Sequence, residues 1–161
     1  MSAPSVPTSY VDPRGPRFGA AVTSIVLALA LVTGSAVVVG LQAVVFLVGA
    51  VAGLRYAPYG RVFAVLKRVR RLAPPAELEA EAPPRFAQAV GAAFAVVGTL
   101  GFVAGATAIG FVATALALVA ALLNAVFGLC LGCEIYLLAR RTLHRAELIR
   151  FVTPSNKGAA A

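Results

Sequence analysis

The sequence predicts an all-α integral membrane protein, a four-helix bundle made of two tandem helical hairpins arranged as parallel repeats. Three observations carry that prediction. Apolar residues make up 60% of the 161-residue chain and charged residues only 12%, about half the charged share usual in a soluble domain. The mean hydropathy is +0.91, which is more apolar side chain than a soluble interior of this size can hold. Two long stretches carry no charge, and the basic residues gather at their edges.

Taken in order, residues 1–13 are rich in Pro, Ser and Thr and read as a disordered arm. A four-span membrane domain follows over 14–145. Its first uncharged run, 18–54, is 37 residues long. One helix of that length would measure roughly 55 Å against a hydrocarbon core of about 30 Å. Two spans fit instead, at 17–33 and 36–56, turned at Gly34-Ser35. Residues 57–84 read as a loop. Its segment 65–72 is basic and, with Arg61, suits the headgroups of anionic lipid. Pro74-Pro75, Glu77, Glu79, Glu81 and Pro83-Pro84 then make an acidic, proline-bounded linker. The second uncharged run, 86–133, is 48 residues long and again divides into two spans, 85–105 and 108–140, turned near Gly105-Ala106-Thr107. Residues 146–161 form a tail whose last eight residues read as disordered. Each connection within a hairpin must be short, because backbone left open in lipid has no partner.

All 14 Lys and Arg lie at the N-terminal end (Arg14, Arg17), in the central loop and its flanks (Arg55 to Arg85), or from Arg140 onward. Four spans put these segments on one side, which the positive-inside rule makes the cytoplasm. The expected location is the inner or plasma membrane, multi-pass, with both termini cytoplasmic. A competing reading takes 14–36 as a cleaved signal peptide. It fails because the apolar run continues past the cut, and because losing one span would split the basic segments across both sides.

Pro16-Arg17-Phe18 opens the first hairpin, and Pro84-Arg85-Phe86 opens the second 68 residues later. Each is followed by two apolar helices and a basic cluster, Lys67-Arg68 or Arg140-Arg141, which reads as a duplication. Three small-residue pairs, Gly49/Gly53, Gly101/Gly105 and Gly128/Gly132, are expected to act as helix-packing seams and would permit a homo-oligomer. Gln42 and Asn124, one per hairpin, are the best candidates for hydrogen bonds between helices.

The most chemically pointed segment is Gly128-Leu129-Cys130-Leu131-Gly132-Cys133-Glu134. It holds both cysteines of the chain. At this spacing on a helix they face nearly the same way, with Cα atoms about 5 Å apart, a span a disulfide can bridge. Glu134 is the sole acid inside an expected span, where ionisable groups usually face an interior or a wet cavity. Cys133 lies roughly 10 Å along the helix from Arg140, so the pair belongs to the cytoplasmic half. Thiols there are kept reduced, which argues against a permanent structural bridge and for a catalytic, sulfur-carrying or metal-binding pair. The plainer alternative is that both cysteines pack as small apolar residues. The motif differs from a thioredoxin site, since it is expected inside an apolar helix and not at a helix start. It is not a zinc site, because two further ligands are missing and His144 stands alone on the tail. No metal or other cofactor is expected.

Together, Asp12-Pro13-Arg14-Gly15-Pro16-Arg17-Phe18, Tyr56-Ala57-Pro58-Tyr59-Gly60, Pro84-Arg85-Phe86-Ala87-Gln88 and Gly128–Glu134 resemble a bacterial membrane family, common in actinobacteria, called domain of unknown function 4395. The resemblance covers about residues 10–145. It implies, by association, a setting among thioredoxin-like proteins and thiosulfate sulfurtransferases, and so suits a membrane dithiol in sulfur or redox metabolism.

Two function classes stay open. In the first, Cys130 and Cys133 cycle between dithiol and disulfide or carry a persulfide, with Glu134 as proton acceptor. A true repeat would bring Tyr56, Tyr59 and Arg61 near the pair across the pseudo-twofold axis, and Arg61 would then hold an anionic sulfur species or favour a thiolate. The plainer role of Arg61 is snorkelling at the interface. In the second class the chain is a membrane scaffold or small transporter subunit whose cysteines only pack. Its partners are the lipid bilayer and, on the first reading, a thioredoxin-like protein or sulfurtransferase. Nucleic acid is excluded, since no basic soluble face with interleaved aromatics occurs. Glycine-rich phosphate loops, Ser-His-Asp sets and paired carboxylates within spans are absent from the sequence.

Overall fold

The structure, a computed structural model, describes residues 10–73, 75 and 78–152, with side chains to residue 143. Six helices account for most of it: α1 (Arg14–Thr33), α2 (Ala36–Val51), α3 (Pro58–Val69), α4 (Ala82–Val103), α5 (Thr107–Phe127) and α6 (Leu131–Val152). A two-residue antiparallel ladder joins β1 (Tyr10–Val11) to β2 (Glu79–Ala80). The fold is therefore all-helical apart from this clip.

The expected turns fall where the sequence puts them. Between α1 and α2, Gly34 caps α1 with its amide bonded to Ala30 O, and the Ser35 side chain accepts the Val38 N–H at 3.4 Å. Between α4 and α5 the chain turns through 104–106. Three helices, α1, α4 and α5, are long and apolar enough to cross a membrane; α2 is apolar but only 16 residues long. Their outward surfaces are apolar too, with Ile25, Val32, Val37, Val103 and Phe127 all more than two-thirds exposed. Such an apolar surface is compatible with a membrane protein.

Four expectations are corrected. The helix expected over 108–140 is two helices, because the chain breaks at 128–130. The span expected over 36–56 stops at Val51, and the loop expected over 57–84 contains α3. The arm expected to be disordered over 1–13 is ordered from Tyr10, where the ladder holds it. Residues 1–9, 74, 76–77 and 153–161 lie outside the described residues, and with them Pro74, Glu77 and the expected disordered end of the tail.

The helices pack in these pairs: α2 on α4, α1 on α5, α4 on α5, α4 on α6, α1 on α3 and α1 on α2. The core between them is built from small side chains, with Ala30, Ala43, Ala92, Ala95, Val39 and Phe46 buried together. Close approach of α4 and α5 depends on glycine. A Cβ at Gly101 would lie 2.6 Å from the Gly110 backbone nitrogen. Each expected glycine seam has one member in close contact within a helix and one of positive φ just past a helix end, where Gly53 is also close to Glu81. Gly49, Gly101 and Gly132 abut Gln88, Gly110 and Ala87, while Gly53, Gly105 and Gly128 have positive φ.

α3 is missed by the sequence reading because its apolar face is short and heavily interrupted by Arg and Lys. It runs antiparallel along the first half of α1. Tyr59 meets Gly19, Phe63 meets Gly15 and the Phe18 ring, and Lys67 meets Asp12. Asp12 is the knot of this face. Its carboxylate takes Arg14 at 2.9 Å and Lys67 at 3.2 Å, and Arg14 also donates to Ala73 O. The Arg14 guanidinium, together with Lys67, holds the Asp12 carboxyl down to about 2.

Asp12 thus contributes stability that is complete above the ordinary carboxylate range and lost as pH falls through its own low value. Pepsin should release the N-terminal arm readily near pH 2 and slowly near pH 4, and Asp12→Asn should expose the ladder amides to hydrogen exchange at neutral pH. Both cations are partly exposed, so the effect stays local and global unfolding shifts by under about 1 kcal/mol.

Candidate functional site

The site begins with the break between α5 and α6. Gly128, at φ 70°, turns the chain out of α5, a conformation open to glycine because it lacks a Cβ. Its amide and that of Leu129 still bond Asn124 O and Leu123 O. Cys130 then stands at the threshold of α6. Its carbonyl accepts the Glu134 N–H at 3.0 Å, and its Sγ accepts the Cys133 N–H at 3.4 Å. The sulfur occupies the capping position that Ser, Thr or Asp oxygen commonly fills. A disulfide joins Cys130 to Cys133, with Cα atoms 5.2 Å apart. The sequence reading distinguishes this pair from thioredoxin-type motifs because it is expected inside a helix. It opens a helix instead, and the reason is the left-handed turn at Gly128.

Neighbouring elements fix the pair in place. Gly132 is buried on α4, where a Cβ would come within 2.6 Å of Ala87 Cα and Cβ. One turn further along α6, the Tyr136 ring packs on Phe86, with centroids 5.7 Å apart. Arg17 reaches across from α1. Its guanidinium lies beside Gly128 and donates to Val126 O at 3.5 Å, so a cation covers the C-terminus of α5. Glu134 is exposed in the first turn of α6, where a carboxylate suits the helix dipole.

Cys130, but not Cys133, lines a cavity of about 100 Å³ among α1, α2, α4 and α5. Its wall contains no charged residue, and its polar side chains are Thr23, Gln88 and Asn124. A buried chain of hydrogen bonds leads into it. The Tyr59 hydroxyl donates to Gln42 Oε1 at 2.7 Å, and Gln42 Nε2 donates to Thr23 Oγ1 at 3.3 Å. Gln42 is 1% exposed and fully engaged, so it bridges α1 and α2 as expected of it. Burial pushes the Tyr59 phenol up, so it remains a neutral donor. A second cavity of about 240 Å³, on the α3 side, is lined by Tyr59, Asp12 and Lys67 and shares Pro16 and Gln88 with the first.

The expected anion-binding trio does not gather at the cysteines. Tyr59 points into the bundle, Tyr56 is 44% exposed under the Arg55 guanidinium, and Arg61 is exposed on the outer side of α3. The cation beside the break is Arg17. Sequence reasoning used it for the charge bias and as part of the repeated Pro-Arg-Phe motif; in the structure that motif's other arginine, Arg85, plays a like part. Arg85 donates from Nε and Nη2 to Ala50 O and from Nη2 to Val51 O, at the end of α2.

Gly132→Ala should separate α6 from α4, lowering stability by about 1–3 kcal/mol through overpacking. Thermal unfolding in detergent would measure that loss, and thiol counting should show a smaller bridged fraction of cysteines.

No curated protein and no solved structure matches the chain. A family model does match, over residues 11–141, and it spans both capped helix ends, the cysteine pair and the cavity between them. On that match the chain belongs to the family described as domain of unknown function 4395.

Proposed function

We propose that this protein is a four-span membrane dithiol–disulfide carrier with both termini and the cysteine pair on the cytoplasmic side. The observation that carries the proposal is the place of the pair: a CxxC disulfide at a helix start, with the Cys130 sulfur accepting a backbone amide and Cys130 lining an internal cavity.

Charge supports the topology. Arg14, Arg17, Arg55, Arg61 and Arg85 flank the ends of the apolar helices that meet at this site, while the turns at 34–35 and 104–106 carry no Lys or Arg. α2 adds a fourth crossing when the chain just beyond it, through Gly53, is counted; its helix alone reaches about 24 Å. The reading of two tandem copies has support of its own. Arg17 and Arg85 each cap the second helix of the other half. Phe18 and Phe86 each pack on an aromatic of the third helix of their own half, Phe63 and Tyr136, with centroids 5.7 Å apart in both cases.

The chemistry follows from the two sulfurs being unlike. A reduced thiol protein, such as a thioredoxin-like protein or a sulfurtransferase, attacks Cys133 Sγ as a thiolate. The new S–S bond forms there and the Cys130–Cys133 bond breaks. The electron pair leaves on Cys130, where the Cys133 N–H and the N-terminus of α6 receive negative charge. The partner's second thiol then displaces Cys133, leaving the carrier with two thiols and the partner with a disulfide. Glu134, exposed beside Cys133, exchanges protons with water. A cytoplasmic pair is expected to open and close in this way, since stable bridges are rare in that compartment.

The test is a redox titration of the full-length protein in lipid vesicles, counting thiols against ratios of reduced to oxidised dithiothreitol. A single two-electron couple should appear. Cys130→Ser should leave Cys133 able to hold a small thiol as a mixed disulfide that wild type resolves. A pair that neither opens nor closes anywhere in the series would defeat the reading and leave a scaffold with packed cysteines.

A further inference from the structure

The hydrogen bonds of the apolar helices leave one buried hydroxyl unused. Ser24, Thr99 and Thr114 each donate to the carbonyl four residues back on their own helix. Thr23 does not. It is 3% exposed, and its Oγ1 accepts from Gln42 Nε2, while Gln42 Oε1 accepts from the Tyr59 hydroxyl. The direction of that chain leaves the Thr23 O–H to be donated onward, and among the described residues it has no acceptor. Two carboxamides share this condition: the side chains of Gln88 and Asn124 have no hydrogen-bond partner among the described residues. All three groups line the cavity of about 100 Å³ to which Cys130 also contributes.

Polar groups set without partners in an apolar bundle are costly, so this wall suits a guest that hydrogen-bonds. The wall carries no charge, so the guest is neutral. At about 30 Å³ per water, the space takes about three water-sized groups. Two bonded oxygens with a proton on each meet all three conditions, offering two donors and several lone pairs to Thr23, Gln88 and Asn124. From this we infer that the oxidant which closes the pair is hydrogen peroxide, held in this cavity beside Cys130. The inference rests on the dithiol reading proposed above. The Cys130 thiolate attacks one peroxide oxygen. The S–O bond forms, the O–O bond breaks, and the electron pair leaves on the other oxygen, which takes up the thiol's proton as water. Cys133 Sγ then attacks Cys130 Sγ. The S–S bond forms, the S–O bond breaks, and hydroxide leaves with the Cys133 proton as a second water. Two thiols are oxidised and one peroxide is reduced.

The experiment uses the full-length reduced protein in vesicles under argon. Hydrogen peroxide is the probe, with cumene hydroperoxide as a bulky comparison and diamide as an oxidant that needs no peroxide site. Expected is the loss of two thiols per peroxide, about tenfold or more faster than free cysteine, whose thiol is mostly protonated at neutral pH. Cumene hydroperoxide should gain no such advantage, since its benzene ring alone needs a cavity of roughly 150 Å³. In Cys133→Ser, dimedone should trap a sulfenic acid on Cys130, read by mass spectrometry. Gln88→Leu and Asn124→Leu should each lower the ratio of peroxide rate to diamide rate about fivefold, the contribution of one neutral hydrogen bond. If diamide closes the pair and peroxide does so no faster than it oxidises free cysteine, the inference falls, the cavity holds only water, and the dithiol reading stands. If neither oxidant closes the pair, the dithiol reading falls as well. A wild-type ratio in both leucine variants, or cumene hydroperoxide reacting as fast as hydrogen peroxide, would move the reaction out of this cavity and overturn the assignment.

Discussion

Carbonyl groups freed where α2 and α5 stop impose the constraint on which the rest of the architecture depends. A helix end leaves its last carbonyls without an intrahelical donor, and each is met by another group. Arginine supplies one from across the bundle: Arg85 to Ala50 and Val51, Arg17 to Val126. Both arginines lie near the start of their own helices, where the dipole disfavours a cation, and both reach to the end of another helix, where the dipole favours one. That geometry obliges α4 to lie beside α2 and α1 beside α5, the pairs that form the bundle. Glu81 completes the first break by accepting the Leu54 amide at 2.9 Å, so a residue of the acidic linker satisfies a donor in the turn that follows α2.

With the helix ends tied, the middle of the bundle is held by close approach. Hydrocarbon outside is as apolar as the core, so burial of Leu and Val supplies little drive, and packing must come from small residues and a few hydrogen bonds. The interior fits that demand. Alanine and glycine line the contacts, and the largest buried side chains include Gln42 and Thr114, both hydrogen-bonded. Among the described residues no buried side-chain nitrogen or oxygen lacks a partner.

Much of this is legible in the sequence because charge and hydropathy act at the scale of a whole helix. Three long apolar helices and the turns at Gly34 and Gly105 follow from the uncharged runs alone. The break at Gly128 is hidden because Leu129, Cys130 and Leu131 keep the run apolar through it, and glycine in such a run reads equally as a packing contact. The expected helix over 108–140 was already longer than a bilayer needs, and that excess is the signal that points to a break. α3 is hidden for the opposite reason: its inward face is Tyr59, Phe63 and Lys67, and the arginines around it read as a solvated loop. Placement of Arg17 at the cysteines depends on contacts between residues more than a hundred positions apart, which periodicity does not report.

The two breaks differ in length, and the difference decides where chemistry can occur. The first spans 52–57 and brings exposed Arg55 and Tyr56 to its surface. The second spans only 128–130, so α6 starts at the depth where α5 ends. Its free amides therefore face Cys130 at once, while Arg17 covers the last carbonyls of α5 two residues away from that sulfur. On the proposed dithiol reading, a sulfur that gains an electron pair there meets the positive end of the α6 dipole, with the Arg17 guanidinium beside Gly128. A longer break would have moved the cysteines away from both. The shortness of the turn that Gly128 makes is thus what sets the cysteine pair at a helix start and beside Arg17.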